Sequence, residues 1–165
     1  MSMRAVTPLI RRVVVVVGVA IVLMVIGVQS RISDTYDPAG SVFPTHAITW
    51  GHVWKLEIAH TDALRSRGLG GRDNLSQGNG MLFLFNNPDR YGFWMQGMKF
   101  PLDMIFLRQG EVIHIERGIQ PGDNKVVIPP AVVDQVLELN AGEAARLERG
   151  DYIWFGRWFS SVANT

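Results

Sequence analysis

Between Gly80 and Phe106 the chain reads GMLFLFNNPDRYGFWMQGMKFPLDMIF, dense in aromatic, aliphatic and methionine side chains, with one acid, Asp103, embedded in its last apolar run. That much apolar surface has to leave water, and its spacing restricts how. The runs Gly80–Phe85, Phe93–Met95 and Leu102–Leu107 are short. Asn86-Asn87-Pro88-Asp89, a turn signal, and Pro101 separate them. Short apolar runs bounded by breakers predict strands rather than core helices.

The same grammar continues on both sides. Val53–Ala59 alternates as a strand does. Thr61 to Gly68 predicts a short helix, with Thr61 as N-cap, Asp62 at the positive end of the dipole and Gly68 able to adopt the left-handed conformation that ends helices. Gln109-Gly110 joins Leu102–Leu107 to Glu111–Ile119 as a hairpin. Val126–Ile128 and Gln135–Leu139 are further strand candidates, and Tyr152–Phe155 is a closing one. Asn140 to Glu143 has the form of a capping box, predicting a helix over Ala144–Leu147. Short strands with regular turns imply a mainly β domain over residues 49–160, either a compact antiparallel sandwich or a partly closed barrel with one or two short helices.

The N-terminus follows different rules. Arg4, Arg11 and Arg12 precede an unbroken apolar run, Val13 to Val28. Sixteen residues of helix span roughly 24 Å, a little under a bilayer core of about 30 Å, and the flanking residues can extend that reach. The arginines place residues 1–12 on the cytoplasmic side and the remainder outside. Residues 13–30 are therefore expected to be an uncleaved transmembrane anchor. Cleavage after Val28-Gln29-Ser30, giving a secreted or periplasmic protein, is the alternative. Residues 31–48, polar and interrupted by Pro38 and Pro44, read as a linker.

With no cysteine, the chain has no disulfide, no thiolate chemistry and no lipoprotein-type attachment. Three of its 16 basic residues lie ahead of the apolar run, so 13 Lys+Arg face 15 Asp+Glu from residue 31 onward. That balance argues against a nucleic-acid partner.

Six pieces carry a resemblance: Arg67-Gly68-Leu69 with Arg72, Gly80-Met81-Leu82-Phe83 with Phe85, Phe93-Trp94-Met95, Pro101-Leu102-Asp103 with Ile105-Phe106, Val136-Leu137-Glu138-Leu139 with Gly142, and Gly150-Asp151. In this order and at this spacing they resemble the family known as domain of unknown function 192, over residues 53–156. The resemblance implies a compact, mainly β, sandwich-like domain, often behind a signal peptide or anchor. No reaction is implied. Members commonly carry a small polar pair after the Trp-Met, where this chain has Gln96-Gly97-Met98.

Two groups of residues are candidates for function. The first is a polar cluster of Arg67, Arg72, Asp103 and Glu138. Each acid is flanked by apolar strand residues, and an acid on a buried face needs a cation or hydrogen bonds. The arginines are the expected partners, their forks matching carboxylates, which makes a structural ion-pair cluster the first expectation. Two carboxylates at glycosidase separation are the hydrolytic alternative, acting on an envelope glycan. The second group is a ligand loop of Trp94, Met95, Met98 and Lys99, with Tyr91, Phe93 and Phe100 around it; aromatic rings there can stack on sugars, fill a partner's pocket or simply form core. Met95 and Met98, with Met81, Met104, His52 and His60, raise a soft Cu(I) site as a further alternative. The histidines lack zinc-protease spacing, Ser66 and Ser76 lack a nucleophile elbow, and Gly68-Leu69-Gly70-Gly71 lacks the Lys-Ser/Thr of a phosphate loop. No cofactor fingerprint is present. The expectation is a non-enzymatic binding or accessory module of the envelope, with a glycan or protein as partner.

Overall fold

The computed structural model describes residues 43–49 and 51–156. The expected anchor, and the linker up to residue 42, lie outside them. Among the described residues no helix is long and apolar enough to cross a membrane.

Among the described residues seven strands form one sheet: β1 (His46–Thr49), β2 (His52–Ala59), β3 (Asn79–Asp89), β4 (Leu102–Arg108), β5 (Glu111–Ile119), β6 (Val133–Asn140) and β7 (Trp154–Gly156). Their spatial order is β5-β4-β6-β3-β2-β1-β7. The sheet curls into a half-barrel. The chain just before β7 draws the curl together: Val112 N–H donates to Asp151 O, Gly150 N–H to Val112 O and Ile153 N–H to Gly110 O, at 2.8–2.9 Å. Residues 150–156 thus bond β5 with their first half and β1 with their second. Gly110 permits this approach, because a Cβ there would lie 2.9 Å from Ile153 O. It also closes the β4–β5 hairpin, where Gln109 and Gly110 have φ of 51° and 85°, the paired positive values of a type I′ turn.

Several expectations change. The sheet is mixed rather than antiparallel, since β2 and β3 run parallel, joined through α1 (Asp62–Arg67) and the loop after it. Among the described residues there is no second sheet to make a sandwich. Asn86-Asn87-Pro88-Asp89 is not a turn; it extends β3, with a register shift between Leu84 and Asp89. Strand β1 starts at His46, inside the stretch read as linker. Phe93–Met95 and Val126–Ile128 reduce to one bridge, Phe93 with Val127. The expected helix over Ala144–Leu147 is a series of turns. Glu143 reaches back to the Asn140 side chain, whose Nδ2 donates to it at 3.3 Å, and not to the Asn140 backbone N–H as in a capping box. Its carboxylate accepts from Trp54 Nε1 at 2.7 Å and from Gly78 N–H at 3.1 Å, which fastens the segment to β2 and the start of β3.

Helix α1 forms as expected. The Thr61 hydroxyl accepts from Leu64 N–H, and Gly68, at φ 48°, donates to Leu64 O. Arg65 fixes the helix to the sheet through His60 O and Leu84 O, both at 2.7 Å.

The sheet is buried on both faces around β4, which explains the continuous apolar run there. One face, with Leu82, Ile105, Leu107, Leu137 and Leu139, packs against Trp54, Ala144, Leu147 and Ile153. The other, with Met81, Phe83, Met104, Phe106 and Val136, is covered by Leu69, Leu75, Met95 and Val127 from the loops.

Candidate ligand pocket

Residues directly opposite in adjacent strands share a face. Asp103 pairs with Leu139, and Met104 with Glu138. Asp103 and Glu138 therefore project from opposite faces of the sheet.

Asp103 is fully buried. Its Oδ1 accepts from Gly118 N–H at 2.8 Å, and Oδ2 from Gly142 N–H at 2.9 Å and Ala144 N–H at 3.0 Å. One carboxylate thus joins β4, the bulged end of β5 and the turn after β6. Neither expected arginine contributes.

Glu138 is 5 % exposed and stands between Met81 and Met104. No described residue donates to its carboxyl group or accepts from it. The oxygens are not sealed off; they belong to a cavity of about 330 Å³, at the lower end of small-ligand pockets (~300–1,000 Å³). Burial disfavours the charged form and pushes the Glu138 pKa up to about 8. At neutral pH the group is mainly the uncharged acid, able to donate one hydrogen bond and accept another.

Three pieces of chain surround it. Phe83 and Phe85 of β3 lie beside Glu138 on the sheet. Helix α1 and the loop to Gly70 make one wall, with Arg67 at the helix end. The segment from Tyr91 to Met98 makes the other. Phe85 and Tyr91 stack with centroids 3.6 Å apart, and Phe93 sets its edge against Phe83 at 5.0 Å and Phe106 at 5.8 Å. The Tyr91 hydroxyl donates to Asn87 O. These contacts fasten the wall to β3 and β4.

Of the expected polar cluster, only Arg67 and Glu138 meet at this cavity. They form no ion pair with each other, and the exposed Arg67 guanidinium has no partner among the described residues. Arg72 instead forks onto Glu57, at 2.6 and 2.8 Å; that hydrogen-bonded pair lowers the Glu57 pKa and raises that of Arg72. Of the expected loop residues, Trp94 (53 % exposed) and Met98 line the cavity, while Met95 is buried in the core. Lys99 pairs with Asp73 at 2.7 Å.

Other members of the site were not read from the sequence. Arg65 sits over the Phe85 ring at 5.1 Å and pairs with Asp62. Phe83, Phe85 and Gln96 also line the cavity. The signal for Phe85 lay in the alternation of β3, which places it on the face of Phe83.

The opposed faces remove the two-carboxylate hydrolase, because glycosidase acids must flank one bond. The thioether site also loses ground. Met81, Met95 and Met104 are core residues, His52 stacks on Trp54, and His60 lies against Phe43. Among the described residues no three His, Asp or Glu side chains group as metal ligands.

Residues 45–155 match the family model described as "Uncharacterized ACR", domain of unknown function 192. The chain belongs to this family. A crystal structure of a protein of unknown function from Novosphingobium aromaticivorans is 33 % identical, with a TM-score of 0.63 over 72 % of this chain and 89 % of that one. One from Sinorhizobium meliloti, described as a candidate transcription regulator, is 29 % identical at the same TM-score, over 70 % of this chain and 98 % of that one. No curated protein matches. The family supports the mainly β fold expected from the sequence and assigns no activity to the pocket.

Proposed function

We propose that this chain is a binding module of the cell envelope, taking one end of a small polar ligand, such as a glycan terminus, into the Glu138 pocket. The carrying observation is the Glu138 carboxyl group, almost wholly buried, without a protein partner, and open to a cavity walled by aromatic rings. Its oxygens are reachable from the cavity, so a ligand seated there can both donate to and accept from the uncharged acid. The second carboxyl group lining the cavity, Asp62, is held by Arg65 at the end of α1 rather than beside Glu138 on the sheet, which favours binding over hydrolysis by a carboxyl pair.

In this reading Val13–Val28 tethers the domain in the membrane, with residues 1–12 cytoplasmic and the β-domain extracytoplasmic. The arginines ahead of the run support that orientation. A C-terminal alkaline phosphatase fusion tests it: active enzyme in the membrane fraction is expected, and an inactive fusion overturns it. Ligand binding is tested on a glycan array with the full chain in detergent, using Glu138→Leu and Trp94→Ala as controls. Retention of a glycan that both substitutions abolish is the expected result. Equal signals from all three proteins would sink the binding reading.

A further inference from the structure

We infer that the ligand of this pocket is an acidic sugar residue, its carboxylate taken by Arg67 and a ring hydroxyl taken by Glu138. This rests on the binding reading above and narrows it to one ligand class.

The charges around the cavity decide the sign. Asp62, Arg65, Arg67 and Tyr91 are the titratable groups lining it besides Glu138. Arg65 is committed to Asp62, to two backbone carbonyls and to the Phe85 ring. The Tyr91 hydroxyl is committed to Asn87 O. Arg67 alone among them is a cation with no partner in the described residues. An unpaired guanidinium at the rim selects an anion, and its fork suits a carboxylate. A cationic ligand would meet two guanidinium groups.

Deeper in, the requirement changes. A protonated Glu138 both donates and accepts, as a sugar hydroxyl does, so the two pair in either direction. The exposed ring of Trp94 stands at the cavity edge and offers a flat apolar face for the body of a sugar ring. A volume of about 330 Å³ suits one ring at the end of a chain rather than an internal stretch of polymer. Raising the pH through about 8 ionises Glu138. That removes the donor and sets a second negative charge near the ligand's carboxylate, so affinity falls.

Titration calorimetry on the full chain in detergent separates the parts, with three probes: glucuronate, glucose and cyclohexanecarboxylate. At pH 6.5 glucuronate is expected to bind about tenfold tighter than either of the others, the worth of one charge-assisted hydrogen bond. Arg67→Gln, at an exposed site, is expected to bring glucuronate down to the level of glucose. Glu138→Gln is expected to retain binding and abolish its decline toward pH 9.5. Glucose equalling glucuronate, or a preference that survives Arg67→Gln, overturns the carboxylate assignment. Cyclohexanecarboxylate equalling glucuronate overturns the hydroxyl assignment. Silence from all three overturns the ligand class, while the glycan array judges binding itself independently. A glucuronate-terminated oligosaccharide added as a fourth probe distinguishes a chain end from the free sugar: tighter binding of the oligosaccharide supports the chain end, and equal binding overturns that detail.

Discussion

Asp103 and Glu138 stand one register step apart on adjacent strands, both buried, both flanked by apolar residues. One accepts three backbone N–H groups at 2.8–3.0 Å; the other has no partner among the described residues. The difference lies in what covers each face. Over Asp103 the turn of residues 141–147 closes down and presents its own amides, and Arg117 ties that turn to β5 through Ala144 O and Leu147 O. Over Glu138 the cover is assembled from α1 and the Tyr91–Met98 segment, which meet imperfectly and leave a cavity. Burial alone therefore does not identify a functional acid. A buried acid with its hydrogen-bonding capacity unfilled, facing a space, is the one that points to a ligand.

The largest effect tests the sealed side. Asp103→Ala leaves three amides without an acceptor and is expected to destabilise the fold by roughly 5 kcal/mol, at 1–3 kcal/mol for each. Denaturant unfolding measures it; a loss no greater than that of a surface substitution would remove Asp103 from its joining role.

Next comes the pH dependence of the open side. The folded pKa of Glu138, about 8, lies above the reference value of 4.5, so the native state binds more protons between the two. Stability from this group is full below about pH 4.5, declines as pH rises and is lost by about pH 8. The total is of the order of 5 kcal/mol. Glu138→Gln should match the wild type near pH 4 and exceed it at pH 9. Parallel pH profiles for the two proteins would show that Glu138 has a charge partner in solution.

Gly80→Ala probes packing on the Asp103 face. Its Cβ would come within 2.8 Å of Leu139 Cδ2 and 3.1 Å of Glu138 O, and overpacking of this kind costs roughly 1–3 kcal/mol. An unchanged denaturation midpoint would mean that this face is looser than its contacts imply. The smallest effect belongs to Glu57→Gln. It breaks an ion pair whose members are 35 % and 50 % exposed, so a change within about 1 kcal/mol is expected, with no effect on ligand binding. A loss of binding would extend the site to Arg72.

Much of the fold was legible because it is written locally. Alternation marked β2, Thr61 and Gly68 marked the ends of α1, and Gln109-Gly110 marked the β4–β5 hairpin. The failures are places where a distant group outcompeted a local signal. Asn140 to Glu143 looked like a capping box, but Asp103 takes Gly142 N–H and Ala144 N–H while Glu143 turns to Trp54 and Gly78. The Asn-Asn-Pro-Asp turn signal was overridden by continued pairing of β3 to Val133. Arg72 was matched to Asp103 and Glu138 because their apolar flanks marked them as acids in need of a cation, whereas Glu57, whose register on β2 brings it beside Arg72, carried no such mark.

By itself the sequence determined the chemical inventory of this protein: a mainly β family domain behind an arginine-flanked apolar segment, without cysteine, with acids at two apolar strand positions and aromatics concentrated between them. Strand alternation placed each acid on the face away from its neighbours. Whether those faces were the same depended on the order and register of β4 and β6, and on which loops crossed each side. Pairing between strands is non-local, set by packing over the whole sheet. For that reason only the tertiary structure separated the acid that holds the turn from the acid that waits in the pocket.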